Sequence, residues 1–186
     1  LIHYASQDNI GGRDDNTFAS MSVHRDEGKV LYALVRLLRP STVVEIGVAE
    51  GCSATHILQA LEDNGHGILY SYDIESDNIG HSVPDHLRDR WYLTTGVDGL
   101  LVEYPADVDM CWEDASHLEP FTSTMYRIIR DVMKPKIMVT HDMTSCFHIA
   151  DRVALLHHGS RYFLGNTEDL RTVADPVLRD FVDGRS

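Results

Sequence analysis

The chain has 186 residues, with 16 lysines and arginines against 29 aspartates and glutamates, for a formal net charge of −13. Apolar residues make up 43%, the composition of one globular domain rather than of a disordered chain. So large an acidic excess disfavours non-specific attraction to nucleic acid or anionic lipid, and no apolar run approaches the roughly 18–20 residues that span a bilayer. No basic segment followed by an apolar one opens the chain as a secretory signal would, and Leu1 leaves a longer precursor open. The cysteines, Cys52, Cys111 and Cys146, form no CxxC pair, so neither a zinc knuckle nor a disulfide framework is indicated. A reducing, cytoplasmic setting is the expectation.

Residues 1–22 are polar and carry Gly11-Gly12 and Asp14-Asp15-Asn16, so 1–25 reads as an N-terminal arm. Val30, Leu31, Leu34, Val35 and Leu38 recur at helical spacing and predict a helix over 26–38 that Pro40 ends. Val43 to Gly47 reads as a buried strand, and Ser53 to Leu61 as a helix with Ser53 as its cap, broken by Gly65 and Gly67. Ile68 to Asp73 is a second strand, and 77–90 a weaker helix interrupted by Pro84. Trp91 to Thr95 and Val108 to Trp112 are the third and fourth strands. A helix over Pro120 to Met133 and a fifth strand over Ile137 to Thr140 follow. This alternation predicts an α/β fold with a doubly wound, mostly parallel sheet and ligand-binding loops at the carboxyl ends of its strands. Gly47, Asp73, Gly96, Asp114 and His141-Asp142 all fall at those ends.

The loop after the first strand runs Glu45-Ile46-Gly47-Val48-Ala49-Glu50-Gly51. Glycine there serves a tight turn or a close approach of backbone to a ligand. Gly51 is followed by Cys52-Ser53 with no lysine, so this is no triphosphate loop. Ala49 interrupts the dinucleotide pattern G-x-G-x-x-G. What remains, E-x-G-x-x-x-G with Asp73 closing the next strand, resembles the first motif of class I S-adenosylmethionine-dependent methyltransferases. The resemblance implies a Rossmann-like methyltransferase domain over 26–142 with cofactor contacts from Glu45, Gly47, Val48, Gly51, Ser53, Asp73, Ile74, Asp98 and Asp114. Asp73 would accept the ribose hydroxyls, each charged hydrogen bond being worth about 1.5–3 kcal/mol. Asp98 would lie beside the adenine.

Residues 107–142 extend the likeness. The run Asp109 to His117 contains Asp114-Ala115-Ser116-His117, and the fifth strand ends in His141-Asp142. This looks like the small-molecule O-methyltransferase group that includes macrolide-sugar methyltransferases, in which a D-x-x-H follows the fourth strand. The resemblance implies His117 as general base, with Asp114 beside it in the catalytic site. It also implies Asp114 and Asp142 as divalent-metal ligands, for which oxygen-rich ligation favours Mg2+, with His141, which stands where a metal-binding acid is expected, as a third candidate. Ser116 stands where a second aspartate is usual, and Lys136 replaces a glycine after Lys134-Pro135.

The last stretch, 137–185, resembles the carboxyl end of a lipid-transport ABC transporter ATPase, with Ala150 to Gly159, Gly165 to Leu170 and Asp175 to Gly184 in order. No G-x-x-x-x-G-K-[S/T] accompanies it, and phosphoryl transfer needs that cradle. Residues 143–186 are thus expected to complete or flank the same domain. The expected elements are a helix at 144–150, an antiparallel hairpin over Arg152–Leu156 and Arg161–Leu164 turned at Gly159, and a last helix over 175–182. The leading expectation is a methyltransferase acting on a hydroxyl of a small molecule, of sugar or natural-product type. The competing ones are a non-catalytic composite scaffold and an ABC ATPase-related fragment lacking the Walker A motif. No nucleic acid or membrane insertion is expected. Tyr4, Phe18 and His24 are candidates for lining an acceptor pocket or for contacts in a homo-oligomer.

Overall fold

Apolar residues at helical spacing build α1 (Arg25–Leu38), which lays Leu31 and Val35 against Ile57, Leu58 and Leu61 of α2 (Cys52–Asn64). The structure, a computed structural model, describes residues 2–4, 25–115, 121–140, 143–157 and 160–183. Between these helices runs β2 (Thr42–Ile46), buried on both faces. Gly65 in the left-handed region ends α2, its N–H donating to the Glu62 carbonyl. β3 (Ile68–Asp73) and β4 (Trp91–Thr95) follow as predicted.

The helix expected over 77–90 is reduced to a 3-10 turn at Asp85–Arg90. Pro84 precedes it, and the chain before Pro84 is tied elsewhere: the N–H groups of Gly80 and Ser82 donate to the carbonyls of Ala49 and Glu50. A second 3-10 turn, Gly99–Leu101, is capped by Asp98. β5 spans Met110–Glu113, two residues later than the sequence pattern suggests. Asp109, just before it, keeps backbone hydrogen bonds to Thr42 and Ile137, while its carboxylate accepts from the N–H groups of Ser41 and Thr42 and from the Lys136 ammonium. α3 (Phe121–Ile128) continues as a π turn (Ile129–Met133) that Lys134 closes at φ 46.

After β6 (Ile137–Thr140) come α4 (Met143–Ile149) and the antiparallel pair β7 (Arg152–His157) and β8 (Ser160–Asn166). Two short helices close the described chain. α5 (Thr167–Thr172) was not expected, and the Asn166 side chain caps it; α6 (Pro176–Val182) is capped by Asp175.

Residues 1–25 are not wholly an arm. Ile2–Tyr4 form β1, parallel to β6 on one side and β7 on the other. The hairpin therefore extends the sheet beyond β1. The described strands make one sheet in the order β4-β3-β2-β5-β6-β1-β7-β8, parallel throughout except for β8. The α/β class, the doubly wound parallel sheet and the C-terminal antiparallel hairpin are as expected. Strand order reverses between β2 and β5, the position at which open α/β sheets form a crevice at their carboxyl ends. One core lies between the sheet and α1 and α2, a second between the sheet and α3. A third joins α4, β7, α5 and α6 through Cys146, Val153, Leu155, Leu170, Leu178 and Phe181.

Candidate functional site

The site begins at that reversal. The Asp114 N–H, just past β5, donates to the Ile46 carbonyl at 3.0 Å, which brings the Asp114 backbone against the start of the glycine loop. A Cβ on Gly47 would fall on the Asp114 carbonyl oxygen, and φ is +85° there, so only glycine fits. At Gly51, φ +93°, a Cβ would lie 2.8 Å from Val83 Cγ2 and 2.9 Å from Gly80 Cα. Both glycines are thus required by neighbouring protein. The sequence argument had allowed a ligand or a tight turn as the reason.

Asp73 is the centre of the arrangement. Its Oδ2 accepts from the N–H groups of Val48 (2.8 Å) and Ala49 (3.0 Å), and its Oδ1 accepts from the Glu75 N–H (2.9 Å). The side chain remains half-buried, not sealed. Ile74 beside it is 64% exposed, an apolar face at the mouth of the crevice. Asp98 Oδ1 accepts from the Leu100 N–H. Val48 is buried.

Glu45 is placed differently from the other candidates. It is 0% exposed, beneath the loop, with Oε1 accepting from Ser53 Oγ and Oε2 from Ser71 Oγ, each at 2.5 Å. Trp91 Nε1 in turn donates to Ser71 Oγ at 2.8 Å. Burial pushes the Glu45 carboxyl up to about 7; the two serine hydroxyls pull the other way, and the charges of Asp114 and Asp73 add to the rise. Ser53 does not cap α2, whose N-cap is Gly51 without a side-chain bond, because its hydroxyl is committed to Glu45.

Sequence reasoning missed Ser71, Trp91 and Glu113. Glu113 ends β5, is 2% exposed and accepts from Thr140 Oγ1 of β6 at 3.0 Å. A serine between two tyrosines in a buried strand, facing Glu45 across the β2–β3 register, was the available signal for the first. Asp114 is half-buried at the crevice. His117, His141 and Asp142 lie outside the described residues, as do Phe18, His24 and Gly159. Among the described residues no group of three or more histidine, cysteine, aspartate or glutamate side chains is placed to hold a metal ion. No helix among them is long and apolar enough to cross a membrane.

A family model described as a methyltransferase domain matches residues 44–143, from the middle of β2 to the start of α4. Among solved structures, an O-methyltransferase from Bacillus cereus in complex with SAH is 17% identical, with a TM-score of 0.47 over 89% of this chain and 69% of that one. The O-methyltransferase TomG from Streptomyces achromogenes, in complex with SAM, is 18% identical, with a TM-score of 0.43 over 89% and 71%. A methyltransferase from Geobacter sulfurreducens is 22% identical, with a TM-score of 0.46 over 72% and 59%. The curated relatives are of another kind. The methionine import ATP-binding protein MetN of Bordetella pertussis is 32% identical over 99 residues, 46% of this chain, and so is that of Bordetella bronchiseptica. The chain spans 27% of the length of these relatives.

Proposed function

The chain belongs to the methyltransferase domain family, and from that premise we propose that it binds S-adenosylmethionine at the 47–51 loop and methylates a hydroxyl of a small molecule. One observation carries the choice of ligand. The loop N–H groups that would cradle a phosphate in a nucleotide-binding protein are already taken by the Asp73 carboxylate. An anionic ligand would meet the Asp73 carboxylate there, with Asp114 at the same crevice. A nucleoside bearing a sulfonium and an ammonium instead gains from that field.

The residues present fit such a ligand. Asp73 has about one lone-pair site, on Oδ1, beyond those used by the three N–H groups, and a ribose hydroxyl would donate to it. Ile74 offers its exposed face to the adenine ring, and Asp98 stands after β4 on the same side. When bound, S-adenosylmethionine supplies an electrophilic methyl group. His117 would take the proton of the acceptor hydroxyl as general base. The loop and Asp73 contribute by fixing direction, since in-line approach removes much of the entropic barrier. Asp114, His141 and Asp142 remain the proposed metal set, which would lower the pKa of the acceptor hydroxyl. The acceptor is proposed to be of sugar or natural-product type, from the D-x-x-H resemblance.

Calorimetric titration with S-adenosylmethionine tests this directly. Saturable binding is expected, and no heat and no thermal shift at millimolar ligand would end the reading. His117→Ala should lower turnover at least about 100-fold while leaving cofactor affinity intact. Full activity in that variant would remove His117 from the reaction. Chelation should abolish turnover and added magnesium restore it.

A further inference from the structure

Three residues of the cofactor loop, Gly47, Ala49 and Gly51, have φ of +85°, +47° and +93°. Two are glycine. Ala49 is not, and an L-residue with a Cβ is strained when held in the left-handed region. Something must hold it there. The groups at hand are the two loop N–H donors and the single carboxylate oxygen, Asp73 Oδ2, that takes both. The same carboxylate, through Oδ1, binds the Glu75 N–H and so fixes the backbone by which it leaves β3. On the far side of the loop, the Ala49 and Glu50 carbonyls accept from Gly80 and Ser82, so the turn at 48–50 is held from two directions.

We infer that Asp73 is the positioning residue of the glycine loop. Its carboxylate clamps the Val48 and Ala49 N–H groups and sets the turn before any ligand arrives, with the ribose using only the lone-pair site left on Oδ1. This rests on the proposed cofactor reading for the second half of the statement and on the ligand-free geometry alone for the first. A carboxylate is needed because a carboxamide has one acceptor oxygen. Asp73→Asn can satisfy the loop pair or the Glu75 N–H, but not both.

Amide hydrogen exchange on the ligand-free protein reads the clamp without reference to any cofactor. The Val48 and Ala49 amides should be protected at least 100-fold over an unstructured chain, and lack of protection in the wild type overturns the clamp even if no variant folds. In Asp73→Asn the same two amides should exchange at least tenfold faster, with Gly80 and Ser82 following because their acceptors belong to the same turn. Calorimetry with S-adenosylhomocysteine provides the second arm. Asp73→Asn should lose at least tenfold in affinity, and adding Ala49→Gly, which removes the cost of the left-handed conformation, should recover threefold or more. A residue that only holds the ribose would show no such rescue. Unchanged exchange with weakened binding makes Asp73 a sugar ligand alone and overturns the inference while sparing the cofactor reading. Accelerated exchange in a protein whose wild type takes up no nucleoside does the reverse.

Discussion

At the level of single residues, the acid beneath the loop makes the sharpest prediction. Glu45 has two hydroxyl donors, yet burial wins and its carboxyl rises from the ordinary 4.5 to about 7. The folded protein therefore prefers the protonated acid. That preference stabilises the fold fully below about pH 4.5 and fades as pH climbs through 7. Glu45→Gln keeps the shape and the hydrogen-bonding partners but cannot ionise. Its stability relative to wild type should grow between those limits by an amount on the order of 3 kcal/mol. Urea denaturation at pH 4.5 and pH 8 measures it; an equal gap at both pH values refutes the assignment. The sequence singled out Glu45 through the E-x-G-x-x-x-G resemblance and Asp73 from its place at a strand end as well. It was silent on their partners, because Ser71 is distant in sequence and Ser53 equally suits a helix cap. Glu113 was invisible for the same reason: an acid beside Asp114 reads as loop until Thr140 on the neighbouring strand is seen to donate to it.

Among elements, the loop joining β2 to α2 is the least tolerant of change. Gly47→Ala would combine a left-handed φ with a Cβ against the Asp114 backbone, which cannot move without breaking the bond from Asp114 N–H to the Ile46 carbonyl. The expected cost is on the order of 3 kcal/mol, together with loss of cofactor uptake. Chemical denaturation and calorimetry would record both, and a variant of wild-type stability would show that β5 yields there. The elements most legible from sequence were those whose own residues decide them. α1 and α2 carry apolar stripes, β2 and β3 are short buried runs, and the hairpin has its alternation. Elements decided by distant partners were misread. The 77–90 segment is spent on holding the loop through Gly80 and Ser82, and Asp109, just before β5, also serves the start of β2.

At the scale of the whole molecule, the segment after the family match meets the rest of the sheet through β1, with α4 also packed on β6 and α3. The family match ends at residue 143, and beyond it α4, β7, α5 and α6 build a core of their own. β7 meets the rest of the sheet through β1, with Ile2 opposite Ala154 on one side and Val139 on the other. Removing Ile2–Tyr4 should therefore uncouple the two parts. Thermal unfolding, expected as one transition in the intact chain, should split into two, with the tail melting first; a single unshifted transition would show that helix contacts alone hold the tail. Three residues offer no periodicity to read, which is why the strand escaped the sequence argument.

β1 also imposes a timetable. It precedes every other described strand, yet the residues it pairs with, 139–140 and 154–156, are synthesised much later. Until then its hydrogen-bonding edges must wait in water or on a chaperone, and the slot between β6 and β7 closes by long-range docking, the slow kind of contact in folding. Synthesis in chain order would thus leave the family-matched region folded early and the seam with the tail as a late step.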